Sequence, residues 1–386
     1  MRKEDAMQRI VFLIGLLIIG ATAGHAAEPA GGPIKIGMVN DQTGANKGSG
    51  RGMKVGVDAY FQSINEKGGV NGIKLELVAL DDQMVTDKTV DGLLKLVEEQ
   101  KVFAVVGSVG SSNCVASLPI VKEYKVPFIN PRTGASELRT PLIKEVIHIR
   151  ASYQQEVDSI VDLLVKQGAK RFAVFYQNDT LGTDILTSTE RAVKRHGLSV
   201  VSKGSFERRT TAVTAGLAGI IAGNPDAIIV GAVYAPGAEF IKLARKEGVK
   251  AHLAACSFAG GSNLVKSVGA AAEGLIMSQV VPELDDLTLP LTKECKEAID
   301  KHPEEVGFNV VTMEGCMAAK SMVMALEKAG NPPTRDAFLQ AYESMKDADM
   351  GGIKLTFTPQ DHQGQDNVYL QIVQDGKLVP LKSSKK

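Results

Sequence analysis

Short apolar runs alternate with amphipathic ones in this chain, and the alternation starts, stops and starts again. No other feature of the sequence constrains the fold as much. Strand-like runs stand at Ile34–Val39, Leu75–Leu80, Phe103–Val106, Pro127–Ile129 and Val146–Ile149. Segments of helical period separate them: Val90, Leu93, Leu94 and Val97 follow the i, i+3, i+4, i+7 spacing, as do Val157, Ile160, Val161 and Leu164. "RFAVFY", opening at Arg171, begins a second set, with Phe172–Tyr176, Val200–Ser205, Ala227–Gly231, His252–Ala255 and Gly274–Ser278. Regular β/α alternation with nearly continuous apolar strands predicts parallel sheets covered on both faces. The restart predicts two doubly wound α/β lobes of like plan, for which 386 residues suffice.

After Ser278 comes the turn-rich "VVPELDDLTLP", then helical segments around Thr288–Lys301, Val311–Ala329 and Thr334–Met345. Two late strands are expected at Ile353–Phe357 and Val368–Gln374. A remainder this long, after two complete lobes, is best used by completing both. The expected division is 34–151 with 282–350 for lobe one, and 152–281 with 351–381 for lobe two. No low-complexity linker intervenes, which suits a short hinge. Ligands of open parallel sheets sit outside the carboxyl ends of the strands. Two facing lobes therefore put two such rims on one cleft.

Charge narrows the partners. Lys plus Arg equals Asp plus Glu, 44 each, so no general field draws nucleic acid or a membrane surface. The N-terminus carries Arg9, the apolar "IVFLIGLLIIG" and then "ATAGHAAEPAGG". These are the parts of a secretory signal, with cleavage expected after Ala26. The run is too short to span a bilayer comfortably, and no Cys follows it to take a lipid. The four cysteines are Cys114, Cys256, Cys295 and Cys316. None forms a C-x-x-C pair; export permits disulfides. Cys295 and Cys316, on successive expected helices, could pair, and four free buried thiols is the equal alternative.

The strand-end loops carry the candidate chemistry. "FAVVGSVGSSNCVASLPIV", from Phe103 to Val121, reads as strand, Gly/Ser loop and helix. It lacks the Lys and spacing of a Walker loop. Ser111 or Ser112 as a nucleophile would make the protein an exported hydrolase, but no G-x-S-x-G elbow or recognisable His partner accompanies them. No His or Cys spacing suits a metal, and no cofactor is expected. What the loop offers is hydroxyls and backbone N–H groups at the positive end of a helix, where an anion is favoured; the bland alternative is a turn that caps the helix. "PFINPRTGASELR" adds Arg132, which can pair a carboxylate or merely salt-bridge, with Thr133 and Gly134 beside it. "IHIRASY" places Arg150 and Tyr153 where the chain leaves lobe one, Arg150 being more a hinge or cleft-wall residue than a direct ligand. Lobe two offers Asp179 in "FYQNDTLG", Tyr234 in "VGAVYAPG", and Ser257 and Phe258 in "AACSFAGG".

Taken in order, these stretches form a pattern. "IKIGMVNDQTGANKGSGRGMKVGVDAYFQSINEKGGVNGIKLELVALDD" contains Thr43-Gly44, Gly56–Gly72 and Asp81-Asp82. With "VGSVGSSN", "PFINPRTGASEL", "FAVFYQNDTLG", "PDAIIVGAV", "AAEGLIMS" and "GGIKLTFTPQDHQG", it resembles type I periplasmic solute-binding proteins of the branched-chain amino-acid-binding family. The resemblance implies two Rossmann-like lobes joined by a three-crossover hinge. It also implies a small ligand, a carboxylate or an amino acid, closed between the lobes by a monomeric protein and delivered to an ABC-type membrane permease. A sensor module that docks on a receptor is the alternative of the same fold. By position, Ser111 matches the hydroxyl that binds the ligand carboxylate. Gly134 falls where a second hydroxyl residue is common, and Tyr234 matches an aromatic of lobe two. Ser257 stands where relatives place an acid for the ligand ammonium, Leu181 where an aromatic is common, and Arg132 where a small residue is common. The resemblance thus implies an intact carboxylate half and an altered amine half, with Asp179 as the acid that could compensate.

Overall fold

A computed structural model describes residues 32–44, 46–301 and 306–381. The expected signal, 1–26, and the basic "KSSKK" tail lie outside the described residues. The first sheet has strands β1 (Ile34–Asn40), β2 (Leu75–Asp81), β3 (Ala104–Val106), β4 (Phe128–Ile129) and β5 (Val146–Ile147) in the order β2-β1-β3-β4-β5, all parallel. The second has β6 (Phe172–Gln177), β7 (Val200–Phe206), β8 (Ala227–Gly231), β9 (His252–Ala255) and β10 (Ile276–Gln279) in the order β7-β6-β8-β9-β10, again parallel. The restart in the sequence is thus a repeated topology, and each sheet reverses its winding beside its first strand.

Alternating side chains show why these strands are apolar throughout. Phe172 and Val174 pack into the core shared with lobe one, whereas Ala173 and Phe175 pack beneath α6 (Thr214–Ala222) and α7 (Tyr234–Lys246). Successive strand residues face opposite sides, so a sheet covered on both faces needs apolar residues at every position.

The late segment returns first to lobe one. Helix α1 (Lys47–Glu66) packs on α10 (Val310–Leu326) through glycines on both. A Cβ at Gly56 would lie 2.0 Å from the Thr312 carbonyl oxygen, and one at Gly315 2.5 Å from that of Met53. Backbone contact this close excludes larger residues. Cys316 of α10 is bonded to Cys295 of α9 (Pro290–Lys301), which settles the pairing left open above; Cys114 and Cys256 are free and buried.

Strands β11 (Ala348–Asp349) and β12 (Lys354–Leu355) form a small separate ladder. The expected boundary at 350/351 does not match the bonds that follow it. Phe357 N–H donates to the Met345 carbonyl, and Gly364 N–H to that of His148. These hold the segment to lobe one, and we place the last crossing between Gly364 and Tyr369. Strands β13 (Tyr369–Gln374) and β14 (Lys377–Pro380) then extend the second sheet antiparallel beyond β10.

Candidate functional site: a two-lobed cleft

The loop singled out first, after β3, leads into α3 (Ser111–Glu123). The turn requires Gly110, whose φ of 99° is left-handed and whose Cβ would meet Met84 Cε at 2.5 Å. Ser111 is thereby set at the helix N-terminus, facing inward and 2% exposed. Its hydroxyl lies 2.7 Å from that of Thr133, which in turn lies 3.4 Å from the Tyr153 hydroxyl. Burial pushes the Tyr153 phenol up to about 12, so it remains a donor at neutral pH. Gly134 does not open the backbone to a ligand. A Cβ there would lie 2.4 Å from the Tyr153 nitrogen, so the glycine exists to let α4 (Tyr153–Lys166) approach.

Deeper in the cleft Arg150, expected more as a hinge or cleft-wall residue, and Arg132, open between a ligand and a salt bridge, both meet the protein's own acids. Arg150 Nη1 donates to Glu314 at 2.8 Å, and Nη2 donates to Glu156 at 3.0 Å and to the Ser257 hydroxyl at 2.7 Å. Burial alone would lower the Arg150 pKa, but the Glu314 and Glu156 carboxylates outweigh it and raise it. Arg132 is 1% exposed, with Nε 3.1 Å from Glu314 and its guanidinium over the Phe258 ring at 5.3 Å. The Arg132 Nε–H does not point along that contact, so the pair is one of charge rather than a hydrogen bond. Burial lowers the Arg132 pKa, opposed by Glu314.

Ser257 is committed as well. Its N–H and hydroxyl both donate to Glu156, at 2.8 and 3.0 Å, and Ser278 donates to Glu156 at 2.6 Å. Ser257, which stands where relatives place an acid for the ligand ammonium, is thus bonded within the protein, and an acid placed there would sit against Glu156. Two arginines and two glutamates cancel, and the cluster ties α4, α10 and both lobes together.

Asp179, the acid expected to compensate, is also occupied. It caps α5 (Thr180–Arg195) by accepting from Gly182 N–H, and it accepts from the Ser112 hydroxyl at 3.1 Å and from Gln177 at 2.6 Å. Arg208 Nε lies 3.5 Å from the same carboxylate. The Arg208 guanidinium reaches across the cleft, donating to Thr86 Oγ1 at 3.0 Å, the Met84 carbonyl at 3.2 Å and Asn113 Oδ1 at 2.5 Å. Burial lowers its pKa, partly offset by Asp179.

The open space lies on the Arg208 side of the cleft, which we call its mouth. A cavity of 260 Å³ is lined by Thr43, Gly44 and Asn46 after β1, Gln83, Met84 and Val85 after β2, Gln177 at the end of β6, Arg208 and Arg209 after β7, and Val233 after β8. It thus joins the carboxyl-end rims of both sheets, at the winding reversal in the second and to one side of it, between β1 and β2, in the first; such rims are where the topology predicts a ligand. None of the eleven residues singled out from the sequence lines it; Tyr234 is the chain neighbour of Val233. Glu156, Ser278, Glu314 and most of the cavity wall escaped the sequence reading. Glu314, a lone acid among the apolar residues of "VVTMEGCMAAKSM", and the paired arginines of "ERRT" were the available signals.

Two lobes of like topology that share a buried, self-neutralised hinge cluster and enclose a small cavity define a cleft-type binding protein. The match to the periplasmic binding protein family model, over residues 33–377, shows that the chain belongs to that family, in its branched-chain amino-acid-binding branch. It is similar to Leu/Ile/Val-binding protein homolog 7 of Brucella abortus, with 23% identity over 96% of each chain. Among solved structures it resembles a possible leucine/isoleucine/valine-binding protein from Rhodopirellula baltica, at 32% identity and TM-score 0.87, over 91% of this chain and 96% of that one. It shares its fold with a branched-chain amino acid ABC transporter protein from Thermus thermophilus with bound valine, at 22% identity and TM-score 0.82, over 91% and 96%. The family is one of periplasmic substrate-binding proteins, not enzymes. Among the described residues, no helix is long and apolar enough to cross a membrane.

Proposed function

We propose that the protein captures a small carboxylate in its interlobe cleft and passes it to an ABC-type membrane permease. The 260 Å³ cavity carries this reading: both rims of facing strand ends wall it, two arginines lie on it and no Asp or Glu does. Its volume is just below the ~300 Å³ at which ligand pockets usually begin, which suits a molecule of amino-acid size. An α-amine finds no free acid nearby, because Glu156, Glu314 and Asp179 are each bonded within the protein. That supports a carboxylate without an amine over the matching amino acid. In this reading Ser111 and Thr133, which do not line the cavity, are a floor that the ligand does not touch. Thermal-shift titrations of leucine against isocaproate, and of phenylalanine against hydrocinnamate, test the reading. A ligand at a hundred times its dissociation constant stabilises by about 2.7 kcal/mol. Shifts for the deaminated acids at least equal to those for the amino acids are expected; tighter binding of the amino acids would overturn the preference.

A further inference from the structure

Two turns held in an uncommon conformation face each other across the mouth. Gln83 and Met84, after β2 in lobe one, have φ of 53° and 58°; Arg209, after β7 in lobe two, has φ of 66°. Residues other than glycine enter this left-handed region at a cost, so turns that enforce it ask for a use. Lobe one braces its turn from below. Gln83 N–H donates to Asp81 at 3.0 Å, and Met84 N–H to Asp82 at 2.8 Å. Asn113 of α3 donates through Nδ2 to Thr89 Oγ1 at 2.7 Å and to Asp82 at 3.2 Å, which fixes its amide plane and leaves Oδ1 for the facing lobe. The Thr86 hydroxyl donates to that Oδ1 at 3.4 Å. Lobe one thus presents three oxygens held by its own bonds: the Met84 carbonyl, Thr86 Oγ1 and Asn113 Oδ1. The Arg208 guanidinium of lobe two donates to all three, at 3.2, 3.0 and 2.5 Å. Asp179, in its own lobe, faces Arg208 Nε at 3.5 Å and holds the charge in place. The same Asp179 accepts from Ser112 of lobe one at 3.1 Å, and nearby Asp184 accepts from the Ser136 N–H at 2.6 Å. Every partner in this set belongs to the protein.

We propose that the Arg208 turn is a latch: it docks in the three-oxygen receptor of lobe one and keeps a measurable share of the protein closed without ligand. A guanidinium that leaves water for three acceptors already in place gains charge-assisted bonds at little ordering cost. A latch of this kind acts on the balance between open and closed lobes and not on the choice of ligand. The small-carboxylate reading can fail without touching it, and it can fail without touching that reading. A ligand that binds the closed state then completes a closure already begun, and its apparent affinity scales with the closed fraction that the latch sets.

The test needs no ligand. The full chain, dialysed free of small molecules and checked by native mass spectrometry, is compared with Arg208→Ala by small-angle scattering, with circular dichroism to verify the fold. Losing the bonds of one guanidinium should lower the closed-to-open ratio about tenfold or more, read as a larger radius of gyration. Arg208→Lys, which keeps the charge but not the fork, should lie between the two. A radius of gyration unchanged in a folded Arg208→Ala chain overturns the latch, whether both proteins are open or both closed. If Arg208→Ala does not fold, Thr86→Val decides by the same reading: it removes one acceptor from the other lobe, should enlarge the protein, and overturns the latch if it does not.

Discussion

The cleft has two cationic regions, and they differ in what answers their charge. In the deep region Arg132 and Arg150 meet Glu314 and Glu156 within a shell of serines and Phe258, all almost fully buried. At the mouth Arg208 has one acid, Asp179, at 3.5 Å, and with Arg209 it borders a cavity without an acid among its lining residues. Arg132 and Arg150 were singled out in the sequence and Arg208 and Arg209 were not, although all four follow strands. The difference shows that a cation in a cleft signals an anionic ligand only when the fold has not supplied the anion itself. Burying an ion pair is close to neutral for stability, but removing one partner strands the other.

The largest effect should therefore come from Glu314→Gln. It leaves two buried arginines sharing Glu156, and about 3–5 kcal/mol of unfolding free energy should be lost in urea titrations. A loss under about 1 kcal/mol would show that water or a ligand, not Glu314, answers these charges. Next comes the Cys295–Cys316 bond, which ties the helix that carries Glu314 to α9 across 21 residues of chain. Replacing both cysteines with serine should cost about 3 kcal/mol through the unfolded state. The preference for a carboxylate over the matching amino acid should stay unchanged, and a shift in it would couple the deep region to recognition.

The third expectation concerns pH. His148 lies behind the deep region, with Nε2 3.1 Å from the Leu138 carbonyl oxygen, which makes Nε2 the protonated nitrogen of a neutral ring. Burial, and then Arg139, hold its pKa well below 6.5. The unfolded imidazole takes up a proton near pH 6.5 and the folded one does not. This contribution is therefore complete above pH 6.5 and is lost as pH falls below it, by up to about 1.4 kcal/mol per pH unit. His148→Gln should flatten the slope of melting temperature between pH 6.5 and about pH 5; an unchanged slope would place the acid sensitivity elsewhere.

The smallest effect belongs to Ser111→Ala. With its hydroxyl already paired to Thr133, the change should cost about 1 kcal/mol of stability and less than about threefold in carboxylate affinity. A tenfold or greater loss of affinity would mean that the ligand reaches the floor, as family resemblance implies, and would erase the distinction between floor and mouth.

The fold was legible because it rests on periodicity. The two sets of five strands could be read from apolar runs, which in the central strands are buried by a helix on one side or the other, while the edge strands β2 and β7 are only partly covered. The site was legible only as loops. Ser111, Thr133, Arg132, Arg150, Tyr153, Ser257 and Phe258 do come together, yet their partners Glu156 and Glu314 lie inside helices, where periodicity marks a core face and says nothing about charge. The mouth needs residues 43–46, 83–85, 177, 208–209 and 233 to meet, and only the order of strands in two sheets brings them together. The last crossing between the lobes is hard to read for a similar reason. A short ladder and a few backbone bonds hold 354–364 to lobe one, and neither leaves a mark in hydrophobic pattern.

The return of α9 and α10 to lobe one also sets an order of assembly. A chain made from its N-terminus lays down all five parallel strands of lobe two before the helix that covers α1 exists. Until residue 326 has emerged, the glycine-lined face of α1 has nothing to pack on, and Arg132 and Arg150 have no Glu314. Lobe two can close its five-stranded core in that interval, whereas lobe one must wait, because its contacts span more than 250 residues of chain. The half of the molecule written first thus packs its first helix only after the parallel strands of the other half are made, and during that wait it is the part of the newborn chain most exposed to wrong partners.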